Sequence, residues 1–171
     1  MYSLSIGLLV VRGVGGLVMA AHAAQKLFGW FGGPGLAKTG EFFGYLGFQP
    51  GTAFAALASL AELTSGLLVA FGFLGPVGPA LMASVMIVAL ITVHWQHGLF
   101  ASDNGIEVPL LNITAATALV FTGYGVYSLD SWLGIADRWA APLRLAIFAA
   151  GILGGLTALA LRRRPTAPAG A

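Results

Sequence analysis

The chain has 171 residues, of which 58% are hydrophobic and only 8% are charged. Soluble domains carry about 25% charged residues, so this composition excludes an ordinary soluble globule and predicts an all-α, polytopic transmembrane helix bundle. The formal net charge is only +2, without the basic stripe of a nucleic-acid-binding protein, and the lack of cysteine excludes thiol–disulfide exchange.

Five segments have the length and apolar character of membrane-spanning helices, which need about 20 mainly apolar residues. In chain order they are residues 4–28, 51–74, 77–98, 108–127 and a shorter fifth segment, 145–161. The first is interpreted as a retained span and not as a cleaved signal peptide, because no Lys or Arg precedes its apolar run. Small residues at helical spacing, such as Gly151 and Gly155, predict close packing between spans.

The connections and the C-terminus complete the predicted topology. Residues 31–50 are too many for a turn, and their pattern predicts a short interfacial or re-entrant helix after the first span. The three arginines at positions 162 to 164 predict a cytoplasmic C-terminus, which puts residues 31–50 on the cytoplasmic side of the cell inner membrane. Residues 165–171 are predicted to be disordered.

One helix face near the end of the first span is unusually polar. His22, Gln25 and Lys26 follow the spacing i, i+3, i+4 and therefore lie on the same side of a helix. Polar groups at membrane depth are costly unless they have partners, so this face is expected to border a site. A simpler alternative is that Lys26 extends to the membrane surface.

Depth matching relates this face to the other spans. With about 1.5 Å of rise per residue, folding the chain at its turns places His22, His94 and Asn112 in one layer. Lys26 and His97 fall in the next layer towards the cytoplasmic surface.

Glu62 lies near the middle of the second span, where an unpaired carboxylate costs at least about 2–3 kcal/mol. We expect it to face the bundle interior and to pair with Arg12 or His22. A purely structural ion pair is the alternative to a functional role.

The pair His94-x-x-His97 has the spacing of metal ligands on a helix. No cysteine and no second pair of this kind accompany it, so neither a metal nor haem is expected. For His97, an interfacial residue bonded to backbone or water is the simpler interpretation.

Several short motifs together resemble the DoxX family. They are His22-x-x-Gln25-Lys26-Leu27-Phe28-Gly29, Phe31-Gly32-Gly33-x-Gly35-Leu36, Glu62-Leu63-x-x-Gly66-Leu67-Leu68, Gly105-x-Glu107-x-Pro109-Leu110-Leu111 and Ser128-Leu129-Asp130. The resemblance extends over residues 6–133. It implies a DoxX-like four-helix membrane core at residues 1–133, an additional C-terminal transmembrane helix at 134–164 and a tail at 165–171.

Members of that family are associated with membrane oxidoreductase systems, including subunits related to thiosulfate:quinone oxidoreductases and membrane partners of soluble antioxidant enzymes. The resemblance therefore implies an integral membrane subunit of a redox system that binds quinone, or that anchors other oxidoreductase subunits. Whether the chain is itself an enzyme is left open. A non-catalytic scaffold is the main alternative, and a small-molecule transporter is less favoured because no repeat of broken helices is visible.

The expected quinone site combines polar and aromatic residues. His22, Lys26, Glu62 and His94 are the expected hydrogen-bonding and proton-transfer residues. The remaining expected ligand-binding residues are Gln25, Phe28, Trp30, Phe42, Phe43, His97 and Asn112. We expect His22, Lys26 and His94 to meet in one cavity, with residues 31–50 as its lid.

Overall fold

The computed structural model describes residues 2–163, which contain seven α-helices and no β-strand. The helices are α1 (Tyr2–Phe28), α2 (Gly35–Tyr45), α3 (Gly51–Phe71), α4 (Val77–Ala89), α5 (Glu107–Thr122), α6 (Leu129–Trp132) and α7 (Ala141–Ala160). The predicted all-α bundle and the short helix after the first span are thereby confirmed. Arg164 and the predicted disorder of residues 165–171 lie outside the described residues.

Four helices are long and apolar enough to cross a membrane: Ser3–Phe28, Gly51–Phe71, Val77–His97 and Ala141–Ala160. The third includes α4 and its continuation through a π-helical turn, Leu90–His94, and a 3-10 turn, Trp95–His97. These helices confirm a multi-pass membrane protein.

Two predicted spans differ from the structure by four or more residues at one end. The predicted fourth span, residues 108–127, is wrong at its end because α5 stops at Thr122 and has only 16 residues. Gly123 ends it with a φ of +70°, a conformation that glycine adopts at little cost. The last span begins earlier than predicted, at Ala141, with a proline in its first turn.

Glycines allow close contact between the helices. A methyl group built on Gly16 would lie 2.5 Å from the carbonyl oxygen of Gly66, so α1 and α3 touch backbone to backbone. A methyl group on Gly151 would lie 2.5 Å from the carbonyl oxygen of Ala80, and one on Gly155 2.7 Å from that of Ser84. The small-residue packing predicted from the sequence is therefore present between α7 and α4.

Helix α2 packs against α3 and against the end of α1. The Thr39 hydroxyl, buried at this junction, donates within α2 to the Gly35 carbonyl at 2.8 Å and lies 3.3 Å from the Lys26 carbonyl. At the other end of α2, the Arg163 amide donates to the Gly47 carbonyl at 2.9 Å. The chain after α7 thus lies at the same end of the bundle as α2, as the sequence predicted.

Arg12 holds the opposite end of α3. Its side chain is 1% exposed and donates to the carbonyl oxygens of Ala70 and Tyr127. It is therefore not the partner of Glu62, and that part of the prediction is wrong.

Candidate functional site

A cavity of about 620 Å³ lies among α1, α2, α3, α4 and α7. Its most polar lining residues are Lys26, Lys38, Thr39, Glu62 and His94. Most of the other lining side chains are apolar: Pro34, Phe42, Phe43, Leu46, Phe48, Phe54, Leu57, Ala58, Ala61, Leu81, Val85, Val88, Ala89, Val93 and Ala158. Such a cavity fits a molecule with a polar head and a large apolar part.

Glu62 is the most deeply buried charged residue of the cavity, with 2% of its side chain exposed. Its Oε1 accepts a hydrogen bond from Lys26 Nζ. Its Oε2 is buried and has no hydrogen-bond partner among the described residues. The predicted interior position of Glu62 is confirmed, but its partner is Lys26 and not Arg12 or His22.

His22 does not reach the cavity. It is exposed, and it is not among the lining residues, so the predicted meeting of His22 with Lys26 and His94 is wrong. Gly16 marks the face of α1 that packs on α3. At about 100° per residue, His22 lies farther around the helix from that face than Lys26 does, and it is Lys26 that reaches Glu62.

His94 reaches the cavity from the irregular end of the third apolar helix. Its Nδ1 lies 2.7 Å from the Asn104 carbonyl oxygen. A carbonyl can only accept, so Nδ1 carries the proton, and Nε2 is the nitrogen that remains for a ligand. π-Helical turns such as Leu90–His94 are frequent at functional sites.

Phe42 and Phe43 line the cavity from α2, in the positions expected of a lid. The Phe43 ring packs against Phe48 with centroids 5.6 Å apart, and Phe48 packs against Phe54 at 5.4 Å. This aromatic row forms an apolar wall that continues from α2 onto α3.

Five other expected ligand-binding residues lie outside the cavity: Gln25, Phe28, Trp30, His97 and Asn112. Each polar member has a local backbone contact: Gln25 Nε2 lies 3.5 Å from the Phe31 carbonyl oxygen, His97 Nδ1 donates to the Val93 carbonyl at 2.9 Å, and Asn112 Nδ2 donates to the Val108 carbonyl at 2.9 Å. The Phe28 and Trp30 rings contact each other with centroids 5.1 Å apart. These two residues are 55% and 59% exposed.

The sequence reasoning missed Lys38, Thr39 and the contribution of α7. Lys38 and Phe42 are spaced i, i+4 on α2, and Thr39 and Phe43 repeat that spacing, so helical periodicity could have identified both polar residues. Gly154 and Ala158 of α7 also line the cavity. Neither Gly154 nor Ala158 has a hydrogen-bonding or ionisable side chain, so their sequence offers no sign that they line a site.

Within residues 2–163, no three His, Asp or Glu side chains come together as a group that could hold a metal ion.

Comparison with known proteins agrees with the resemblance seen in the motifs. A family model described as DoxX matches residues 7–95, which is just over half of the chain and includes α3, α4 and nearly all of α1. Searches of the curated proteins and of the solved structures gave no match. The helix bundle and the extent of the family match together show that this chain is a membrane protein of the DoxX family.

Proposed function

We infer that the protein is a quinone-binding subunit of a redox system in the inner membrane. The observation that carries this proposal is the buried carboxyl group of Glu62 beside an apolar cavity between membrane-spanning helices, with an Oε2 that has no hydrogen-bond partner among residues 2–163. A buried polar atom without a partner is costly, and a ligand hydroxyl that donates to Oε2 would remove that cost. The cavity volume is also within the usual range for small-molecule sites.

The donor and acceptor set fits a quinone head group. A bound quinone supplies two-electron, two-proton chemistry, with carbonyl oxygens that accept hydrogen bonds and, when reduced, hydroxyls that donate them. Lys26 Nζ has three protons and uses one on Glu62 Oε1, so two remain for a carbonyl oxygen. Glu62 Oε2 and His94 Nε2 are acceptors for hydroxyl protons.

Proton transfer would use the same three side chains. Lys26 is 33% exposed, which gives the ion pair a contact with solvent while Glu62 stays buried. Lys26 can pass one of its protons to Glu62 through their shared hydrogen bond and then regain a proton from solvent. Electrons would come from a soluble or membrane-bound oxidoreductase partner.

A binding experiment tests this proposal. The protein is purified in mild detergent, its co-purified quinone is measured after lipid extraction, and added quinone is then titrated into the wild type and into Glu62→Gln. We expect bound quinone in the wild type and a roughly tenfold loss of affinity in the variant, about 1.4 kcal/mol. Glu41→Gln is the matched control, because Glu41 is exposed and does not line the cavity. A wild type that binds no added quinone would reject the proposal.

A membrane scaffold without a quinone site is the second candidate. The observation that favours it is the exposed turn after α1, where Trp30 and Phe31 are 59% and 72% exposed. Aromatic residues of this kind are common at protein interfaces and also at the membrane surface. Co-purification of an oxidoreductase that is lost in Trp30→Ala, with no quinone bound, would support the scaffold.

A further inference from the structure

The helix that closes the cavity on one side, α7, follows the part of the chain that matches the family model. It packs on α4 through Gly151 and Gly155, where no side chain fits. Gly154 differs from both, because among the residues that the structure describes a methyl group built there would meet only Ser84 Oγ, at 3.8 Å. Helix packing therefore does not require glycine at position 154, although this residue lines the cavity.

Five residues that line the cavity are themselves exposed at the protein surface, and they fall into two groups. One group is apolar and consists of Phe42 on α2, Leu57 on α3 and Gly154 on α7. The other consists of Pro34 and Lys38, beside the polar lining residues. In the apolar group, Leu57 and Gly154 belong to helices long and apolar enough to cross a membrane, and Phe42 belongs to the short helix α2. The second group includes a charged side chain.

The ends of α2 and α7, the helices that carry Phe42 and Gly154, are held together by hydrogen bonds. Arg162 Nε donates to the Leu46 carbonyl, and the Arg163 amide donates to the Gly47 carbonyl at 2.9 Å. A methyl group on Gly47 would lie 2.1 Å from the Arg163 carbonyl oxygen, so the chain after α7 lies directly on the end of α2. These contacts limit how far α2 and α7 can separate.

We propose that the ligand of this cavity enters from the lipid bilayer through the opening between α2 and α7, and that the missing side chain at Gly154 keeps this lateral opening wide enough. This proposal rests on the proposed function in one respect, namely that the ligand is a membrane-dissolved molecule with a long apolar tail. A bulky residue at position 154 has room to extend, since the nearest neighbour is the Ser84 hydroxyl, and it would narrow the passage without disturbing the contacts of Gly151 and Gly155.

The test uses the absence of native cysteine. Ala61→Cys puts one thiol on the cavity wall, and its reaction is followed in nanodiscs with two reagents, a membrane-partitioning N-alkylmaleimide and a sulfonated maleimide confined to water. We expect the first reagent to react faster, and Gly154→Phe to slow it about tenfold. Ala150→Phe is the matched control, because Ala150 is exposed on α7 but does not line the cavity, and it should leave both rates unchanged.

Two outcomes would overturn the lateral opening. One is an unchanged reaction of the membrane-partitioning reagent in Gly154→Phe. The other is an equally fast reaction of the sulfonated reagent, which would place the entrance at Lys38. Gly154→Leu repeats the test with a smaller side chain if the Phe variant does not fold, as judged by its thermal unfolding.

The same preparations separate this proposal from the proposed function. If the maleimide rates behave as expected but the wild type binds no quinone, the opening is retained and the quinone assignment fails. If quinone binds and Gly154→Phe changes no rate, the assignment is retained and the lateral opening fails.

Discussion

Lys26 and Glu62 form an ion pair in which the two side chains are unequally buried, with 33% of Lys26 and 2% of Glu62 exposed. The consequences of losing either partner are therefore unequal. Without Glu62, the ammonium group can turn towards solvent. Without Lys26, the carboxyl group has no donor among the described residues.

We expect Lys26→Met to lower the free energy of unfolding by about 2–3 kcal/mol, and Glu62→Gln by only about 1 kcal/mol. The double variant should be more stable than Lys26→Met alone, since no buried carboxylate is then left without its partner. Reversible unfolding in mixed micelles measures all three, with Lys38→Met as the control for removing a cavity lysine. A larger loss in Glu62→Gln than in Lys26→Met would contradict this account.

Arg12→Met tests the attachment at the far end of α3. The substitution keeps the bulk of the side chain but removes the donors to the carbonyls of Ala70 and Tyr127. Buried carbonyl groups that lose a charged hydrogen-bond donor lower the free energy of unfolding. We therefore expect a destabilisation of about 3 kcal/mol, measured by thermal unfolding. Arg138→Met, at an exposed position, should change stability by less than about 0.5 kcal/mol. Equal effects of the two substitutions would mean that Arg12 does not hold the helix end.

Gly16→Ala and Gly13→Ala distinguish the effect of the α1–α3 contact on stability from the effect of helix propensity. At Gly16 the new methyl group would lie 2.5 Å from Gly66 O and force α1 away from α3, at a cost of about 1–3 kcal/mol. At Gly13 none of the described residues would lie within 4 Å of the new methyl group, so the same change should stabilise the helix by about 0.5–1 kcal/mol. Opposite shifts in the unfolding midpoint are the expected result, and shifts of the same sign would argue against the close contact.

His94 and His22 should differ in their effect on ligand binding. His94→Ala removes a lining imidazole whose Nδ1 is fixed by Asn104, and we expect about tenfold weaker quinone binding. His22→Ala should leave the affinity unchanged because His22 lies outside the cavity. Isothermal titration with a short-tailed quinone measures both. If His22→Ala had the larger effect, the site would have to lie elsewhere.

Tyr124 should make the stability of the folded protein depend on pH in the alkaline range. Burial and the negative charge of Asp130 raise the pKa of Tyr124 above its ordinary value of 10.0, and the positive charge of Arg12 opposes them. The folded state therefore retains the phenolic proton more strongly than the unfolded state. Its stabilising effect is complete below about pH 10 and declines as the pH rises above that value.

We expect Tyr124→Phe to remove this alkaline loss of stability. At neutral pH the change should cost little, because the buried Tyr124 hydroxyl has no hydrogen-bond partner among the described residues. Unfolding midpoints between about pH 8 and pH 11 test both statements. Tyr45→Phe is the control, since Tyr45 is 70% exposed and should not alter the pH dependence.

The sequence predicted the helix bundle and the interior position of Glu62 because both follow from hydropathy and from the cost of a charge at membrane depth. It did not distinguish Lys26 from His22. Spacing along α1 puts both on one side of the helix, but the face of α1 that packs on α3, marked by Gly16, is known only once the helices are packed, and Lys26 lies closer to that face.

The contribution of α7 was also invisible in the sequence. Gly154 and Gly155 are identical neighbours, yet one lines the cavity and the other packs against Ser84. That difference depends on the rotation of α7 about its axis, which tertiary packing determines. A residue without a polar or reactive side chain can be assigned to a cavity only when the position of the neighbouring helix is known.

Helix α5 has 16 residues and is therefore about 24 Å long, which is less than the roughly 30 Å thickness of a bilayer's hydrocarbon core. Arg144 donates to the Phe121 carbonyl near the end of α5 at 3.2 Å, so a cation satisfies a backbone acceptor there. Hydrophobic mismatch of this kind is relieved when the bilayer becomes thinner around the short helix. The protein should consequently be more stable in membranes of shorter-chain lipids, and bilayer thickness then becomes a variable that controls how this bundle folds.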